Sequence, residues 1–512
     1  MRLSPSPTPS HPFGLTKCFR FPVFLAVGLF LITALTVRDR FADPDLWWHL
    51  KVGEVIWNTR SIPTVDIFSF TTHQHAWTPH EWLAQLTIYG AYHAGGYTGL
   101  MVWLYSVPSL VFVGVYLLSA LYSGNSKVAL LGGLTAWLFG TVSLSIRPLL
   151  LGHLFLVAEL LILHMGRNRD RRWLWALPPL FALWVNCHGS YSFGLMVLAC
   201  YAVLSFVTWS SGSVASTAWL PDRRRTLCAS FVLSSLALLV NPVGWRLLLY
   251  PFDTMFQQHI GLSSVAEWLP LPMNEPRAIA MLLVAAVIIG MVLLRRSVLF
   301  VDELALLCAS GGLALLHTRM LFLFGIFAAP VLCRLCSDLW EGYDASRDSR
   351  VGNSVLMSVA LAIVILSFPT AQNLEGQVRS KSPVAAVNYI RAAGLSGNMA
   401  NEYEFGGYLI WALPEHKVFI DGRSDVYEWT GVLAQFARWM TLQEDPGILL
   451  RRHHINYCLL SAGSSMANVL PHLPGWREVY SDKVARVFTL TAPGSPREPS
   501  PETDSGLPLT TR

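Results

Sequence analysis

Two acids two positions apart, Asp43 and Asp45, open the run DPDLWWHLKVGEVIW at 43–57, and His49, Lys51 and Glu54 follow closely. IPTVDIFSF at 62–70 adds Asp66, and WTPHEWL at 77–83 adds His80 and Glu81. If 45–57 is helical, Asp45 and His49 share one face at i, i+4. A carboxylate and an imidazole so placed can act as a general base, a cation-ligand pair or a substrate clamp. The competing structural reading is an interfacial amphipathic helix, with Trp47, Trp48 and Trp57 at headgroup depth and the charges in water. An acid-rich run directly after a membrane anchor favours the functional reading.

Further polar residues stand where apolar blocks end. Arg147 precedes Pro148, Asn186 and His188 lie in NCHGSYSFG at 186–194, Arg246 closes NPVGWR, and His317 and Arg319 flank Thr318. His153 and Glu159 fall inside an apolar block, where an ionisable group is a functional candidate by default. Arg147, Arg246 and Arg319 have the planar fork that grips a phosphate. Their structural alternative is snorkelling to the interface. Lys51, His80, Glu81, His153, His188 and His317 join them as candidate substrate-binding residues. Near the C-terminus, NEYEFGGYLIW (401–411) and KVFIDGRSDVYEW (417–429) add Tyr408, Asp421 and Arg423. The last two sit in a loop after a short apolar strand, where functional groups concentrate, or form a local Asp–Arg pair.

The elements that must position these groups are set by composition. The chain is 53% hydrophobic and only 13% charged, about half the usual charged fraction. Its apolar residues come in blocks of membrane-spanning length at 21–37, 98–121, 128–146, 149–165, 173–187, 190–209, 226–243, 278–294, 299–317, 320–336 and 351–369. These predict an α-helical polytopic membrane protein of about eleven transmembrane helices. Lys/Arg clusters follow alternate blocks, which places the N-terminus in the cytoplasm; Arg38 and Arg40 depart from the pattern. The same rule puts the loop 38–97 and everything after 369 on the opposite side. There, helix-like stretches alternate with short β-rich runs over 370–490, predicting a small extracytoplasmic α/β domain. Residues 1–20 form a cytoplasmic N-terminus, and Ser/Pro-rich 1–16 and Pro/Ser/Thr-rich 491–512 are expected to be disordered. The transmembrane core is 21–369.

Several classes are excluded or disfavoured. The net charge of +5 is spread over topology signals rather than a basic face, so no nucleic acid is expected as a partner. No Gly-rich phosphate cradle is present, against ATP-driven transport. Cys333-x-x-Cys336 has no second pair and reads as ordinary span residues.

The motifs also carry a resemblance. Residues 43–70 resemble the first outer loop of the oligosaccharyltransferase catalytic subunit, especially its archaeal form, through Asp45, Trp47, Trp48, His49 and Lys51, then Pro63, Asp66, Phe68, Ser69 and Phe70. EFGGYLIW followed by VFIDGR is similar in placement to that family's WWDYG element and the Asp-containing segment after it, with Phe405-Gly406-Gly407-Tyr408 replacing the motif's core. Over residues 40–490 the chain more closely resembles a group of bacterial glycosyltransferase-like membrane proteins, through DPDLWWHL, IPTVDIFSFT, HEWL, LWVNCHGSYSFGL, NPVGWRLLLYP, AEWLP, EFGGYLIW and VFIDGRSDVY.

The resemblance implies the GT-C fold and a polyprenyl-phosphate-linked sugar donor used at the outer face of the cytoplasmic membrane. It implies Asp45 as catalytic base or metal ligand, with Asp43 next and His49 beside them. Mg2+ or Mn2+ is the cofactor it allows. The expected function is a membrane glycosyltransferase of the bacterial cell envelope. The alternatives are a transporter or flippase of a polysaccharide precursor, which needs polar groups through the bilayer depth, and a non-catalytic assembly partner.

Overall fold

The structure, a computed structural model, describes residues 18–257 and 268–490, with backbone only for 252–257. The disorder expected for 1–16 and 491–512 falls outside the described residues. Contacts divide the described chain into two units. The first holds 18–43, 52–62 and 79–374; the second holds 44–51, 63–78 and 375–490.

In the first unit α1 (Phe21–Val37) leads to α2 (Leu46–Thr59), whose second half belongs here, and to α3 (Trp82–Ser123). At 42 residues α3 is twice the length a bilayer needs. It is broken at Gly95 and Gly96, where φ/ψ leave the helical region. Only a residue without Cβ tolerates the φ of +57° at Gly96 cheaply. The part beyond the break covers the expected block 98–121. Then come α4 (Ser126–Gly140), α5 (Leu149–Asn168), α6 (Leu177–Trp184), α7 (Tyr191–Leu204), α8 (Pro221–Ala237) and α9 (Arg246–Gln257). After residue 268 follow α10 (Pro276–Leu294), α11 (Val301–Leu316), α12 (Leu321–Leu335) and α13 (Arg350–Leu366).

The core of this unit lies where α3, α4 and α12 pack together. Phe139 of α4, Leu321 and Ala328 of α12 and Ala314 of α11 are all completely buried. Close approach depends on small residues: a Cβ on Gly140 would fall 2.7 Å from the Phe112 ring, and one on Gly53 would fall 2.4 Å from the Gln85 carbonyl, where α2 crosses α3.

About eleven spans are expected from the apolar blocks. Among the described residues four helices are by themselves long and apolar enough to cross a membrane: α3, α5, α10 and the stretch Thr318–Leu335 that contains α12. A fifth is counted if α13 and the following Ala371–Lys381, bent by 55°, form one span. The remaining blocks fold as shorter helices. Block 173–187, for example, becomes a 3-10 turn (Arg171–Ala176) and the eight-residue α6. Its prolines at 178 and 179 lack the N–H donors that a longer helix would need ahead of them.

A three-stranded sheet ties chain ends in the first unit. β1 (Trp209–Ser211) pairs antiparallel with β2 (Val214–Ser216), which pairs parallel with β3 (Leu299–Phe300).

The second unit is built on a four-stranded sheet of order β4-β5-β7-β6, with β4 (Asn398–Asn401), β5 (Ile455–Ser461), β6 (Trp476–Ser481) and β7 (Ala485–Leu490). β4 and β5 are parallel, and the β5–β7 and β6–β7 pairs are antiparallel. Helices in it include α14 (Ala371–Lys381), most of which lies here, α15 (Val384–Ala392), α16 (Tyr403–Ala412), α17 (Ser424–Trp429), α18 (Val432–Met440), α19 (Pro446–Arg452) and α20 (Ser465–Val469). Leu459, Leu460, Val487 and Phe488, successive residues that point to opposite faces, are all completely buried, so β5 and β7 are covered on both sides. The first-loop segment 63–78 is bound to this unit by backbone: Phe70 N–H donates to the Val418 carbonyl and Val418 N–H to the Phe68 carbonyl, both at 3.1 Å.

Candidate functional site

The acid–aromatic run begins α2. Asp45 directly precedes the helix, and its carbonyl accepts the His49 N–H at 3.3 Å. Acids favour this N-cap position because their side chains reach back to first-turn donors. Here the donor is the Trp48 indole, whose Nε1–H reaches Asp45 Oδ1 at 3.2 Å. His49 is buried with its ring against Trp48, centroids 3.6 Å apart.

The glycines of the C-terminal motifs make room for this turn. A Cβ on Gly422 would lie 2.1 Å from Asp45 Oδ1 and 3.0 Å from Trp48 Nε1; one on Gly407 would lie 2.6 Å from the Pro44 carbonyl. One on Gly406 would meet the Ile420 carbonyl at 2.1 Å. EFGGYLIW and IDGR are therefore the two surfaces against which PDLWW (44–48) is seated, all within the second unit. Tyr403 donates to the Gly422 carbonyl at 3.3 Å. Burial first, then the negative charges of Asp45, Asp421 and Asp425, hold its phenol far above the usual range. It stays protonated, a donor beside an acid-rich turn. Tyr408 packs edge-on against Trp47 at 5.1 Å, and Lys51 Nζ lies over the Trp411 ring at 5.8 Å.

Asp421 and Arg423 are buried, not exposed loop residues. Arg423 donates through Nε and a terminal nitrogen to Asp421 at 2.8 and 2.6 Å, and through its other terminal nitrogen to Asp66 at 2.8 Å. Tyr427 donates to Asp421 at 2.5 Å. Asp66 also accepts from Ser69 and from Thr72. Burial alone would raise the Asp66 carboxyl, but the Arg423 charge and these hydrogen bonds outweigh it and hold it below its usual value. Burial likewise opposes the Arg423 charge, and Asp421, Tyr427 and Asp66 overcome it. Phe68 and Trp77 flank the guanidinium at 5.0 and 4.8 Å. A cation so enclosed is a structural clamp between loop 63–78 and the DGR turn.

In the first unit the candidates fall into three groups. Arg147, just before α5, grips Asp43: Nε lies 3.1 Å from both carboxylate oxygens and a terminal nitrogen 3.0 Å from Oδ2. Glu81 lies between two histidines, Oε1 being 3.5 Å from His188 Nε2 and 3.7 Å from His80 Nε2. His188 Nδ1 accepts the Ser190 N–H at 3.0 Å, so the ring proton of the neutral form is on Nε2, directed to Glu81. The His80 ring stacks on Tyr250 at 4.1 Å. Trp82 donates to Asn186 Oδ1 at 2.7 Å, tying the HEWL segment to NCHG. Gly152 of α5 lies under the same loop, its would-be Cβ 3.3 Å from His188 Nδ1.

The third group surrounds Trp268. His317 Nδ1 is 2.7 Å from the Trp268 carbonyl, and the Arg319 guanidinium lies 4.6 Å over the indole. The turn Thr318–Met320 packs against Thr141–Ser143, whose Thr141 carbonyl accepts from Arg40. Burial, then the nearby Arg277 charge, lowers the Arg40 pKa. His153 is buried in α5, edge-on to Phe322 at 4.4 Å. Arg246 is exposed at the first turn of α9.

Among the described residues no three His, Cys, Asp or Glu side chains come together as a cation-binding set. A donor set for a metal at Asp45 is therefore not formed among them. Spacing alone does not single out Gly422, Tyr403 or Tyr250. Gly422 carried the one available signal, a glycine between two charged residues.

No protein-family model matches the sequence, and no curated protein matches it. Solved structures do. An oligosaccharyltransferase of Archaeoglobus fulgidus, tethered to an acceptor peptide containing the NVT sequon, matches at TM-score 0.53 and 11% identity over 92% of this chain and 74% of that one. ArnT of Cupriavidus metallidurans, bound to undecaprenyl phosphate, matches at 0.52 and 13% over 93% and 99%. The archaeal oligosaccharyltransferase AglB, in complex with an inhibitory peptide and a dolichol-phosphate, matches at 0.50 and 11% over 92% and 75%. Identity this low shows fold alone, and the fold it shows is GT-C-like, a distant relation of this chain to both transferases.

Proposed function

We propose that this protein is a membrane glycosyltransferase that moves a sugar from a polyprenyl-phosphate-linked donor to an acceptor at the outer face of the cytoplasmic membrane. The observation that carries the proposal is the seat of Asp45. Its carboxylate occupies the space that a side chain at 422 would fill and accepts a hydrogen bond from Trp48. An acid given a prepared place beside a protonated tyrosine suits a general base. In the proposed reaction Asp45 takes the acceptor's proton as the acceptor attacks the anomeric carbon. The bond from that carbon to the phosphate oxygen breaks, and the lipid phosphate leaves with the electron pair. Within the first unit, Arg147, its charge oriented by Asp43, and Arg246 and Arg319 are separately proposed as residues that bind a lipid phosphate. Glu81 with His80 and His188 is a second acid–imidazole set suited to holding donor hydroxyls. The solved relatives with undecaprenyl phosphate and dolichol-phosphate support the lipid class of the donor.

The remaining short helices are proposed to complete the membrane core. α1, at 17 residues, reaches the lower end of spanning length, and α7 is a shorter apolar helix of 14. Residues 370–490 are proposed to be extracytoplasmic. Protease treatment of spheroplasts is expected to remove them, and their survival would refute this placement.

The test of the reaction is release of undecaprenyl phosphate from undecaprenyl-phosphate hexose and pentose donors by membranes containing the protein. Asp45→Asn is expected to abolish release at unchanged protein level. Undiminished release would take Asp45 out of the mechanism. Movement of the donor between leaflets with no new glycosidic bond would favour a flippase instead.

A further inference from the structure

Opposite in character to the acid-rich loop is a layer of arginine and tryptophan within the first unit. Two membrane-length helices end in it: α5 runs into Arg167 and Arg169, and α10 into Arg295 and Arg296. Segments 169–172, 222–225 and 295–296 together carry eight arginines and two aspartates. Neither aspartate neutralises the layer. Asp170 caps the 3-10 turn by accepting the Arg172 N–H at 2.9 Å, and Asp222 is 3.9 Å from Arg171 with both side chains more than half exposed.

The layer is held as one surface by backbone. Arg223 donates to the Arg167 and Arg169 carbonyls, joining the start of α8 to the end of α5. β3, three residues after Arg296, pairs with β2, and β2 with β1. Leu174 is completely buried against Gly166, where a Cβ would lie 2.4 Å from its side chain. Docking Leu174 turns both of its neighbours outward: Trp173 is 50% exposed and Trp175 47%. Trp209 of β1 is 50% exposed, and Arg224 stands 4.5 Å over the exposed Phe206 ring.

Exposed indoles interleaved with guanidinium groups that outnumber their acidic partners, at the level where apolar helices stop, have one complementary surroundings. The rings suit the boundary between acyl chains and headgroups, and the arginine forks suit phosphodiester oxygens. We propose that this layer is a binding site for anionic glycerophospholipid, with Arg171, Arg172 and Arg224 gripping headgroup phosphates while Trp173, Trp175 and Trp209 lie at the acyl boundary. The site is separate from the groups assigned to sugar transfer and does not depend on them.

The experiment places the full-length protein in nanodiscs of phosphatidylcholine with or without about 30 mol% phosphatidylglycerol and counts retained phosphatidylglycerol by native mass spectrometry. Each arginine removed is expected to weaken association about fivefold, so R171Q/R172Q/R224Q should lose retention by on the order of a hundredfold. High salt should weaken retention by the wild type. R451Q/R452Q/R477Q, exposed in the second unit, should retain it fully. The unfolding midpoint in phosphatidylcholine alone tells loss of the site from loss of the fold. If the triple variant is unfolded there, R295Q/R296Q, in the same layer but outside the 3-10 turn, replaces it with the same expectation. Retention equal to wild type in the folded layer variant, or an equal loss in the second-unit control, would overturn the proposal.

Discussion

Asp45 and Arg423 show how residue type and residue role diverge. Both are charged and both sit in motifs, yet Arg423 is wholly enclosed while Asp45, proposed as the base, is only partly so. Gly422→Ala would push a methyl group onto the Asp45 carboxylate. We expect the turnover rate to fall at least tenfold, with donor KM changed little, if Asp45 acts as the base; kinetics in membranes check this. Arg423, by contrast, should report in stability. Arg423→Leu leaves Asp66 and Asp421 buried without their cation, at a cost of about 3–5 kcal/mol. Asp66 adds a pH signature. Its folded carboxyl titrates below its usual 3.8, so its contribution is complete above that value and is lost as pH falls through the lowered folded one. Asp66→Asn should be destabilised at neutral pH, and its gap from wild type should narrow below pH 3.8. The fluorescence of Trp77, which stacks on Arg423, follows both unfolding reactions.

At the scale of elements, the apolar blocks foretold where helices would be better than how long they run. Block 98–121 lies within the helix after the Gly95–Gly96 break, whereas 173–187 divides at its prolines. Hydropathy sums side-chain transfer energies, and it does not see backbone donors lost to proline or turns stabilised by a cap. The paired glycines of α16 could be recognised in sequence as permitting close approach, though not what they approach. Gly407→Val should separate α16 from the Pro44–Trp48 turn and destabilise the second unit by about 1–3 kcal/mol. A lowered unfolding midpoint together with weakened Trp48–Asp45 coupling, read as a shifted pH–rate profile, is the expected result.

At the scale of the whole molecule, the second unit is discontinuous in sequence, and its C-terminal portion is incomplete alone. Residues 375–490 expressed by themselves would bury Arg423 without Asp66 and leave the Val418 backbone without Phe68 and Phe70. We expect that fragment to be unstable and addition of a 63–78 peptide to raise its unfolding midpoint, as circular dichroism would show. The sequence by itself determined the apolar helical character, the mixed strand and helix content after residue 370 and the motif likeness to GT-C enzymes. These follow from local periodicity and composition, which each segment carries within itself. Only the tertiary structure decided that Asp421–Arg423 is a buried clamp, that Arg147 belongs to Asp43, that Glu81 lies between two histidines and that Gly422 makes room for Asp45. Each of those arrangements depends on a partner a hundred or more positions away: Arg423 on Asp66, Arg147 on Asp43, Glu81 on His188 and Gly422 on Asp45. Which partner a charge meets is set by the packing of the whole chain, and no local pattern encodes it.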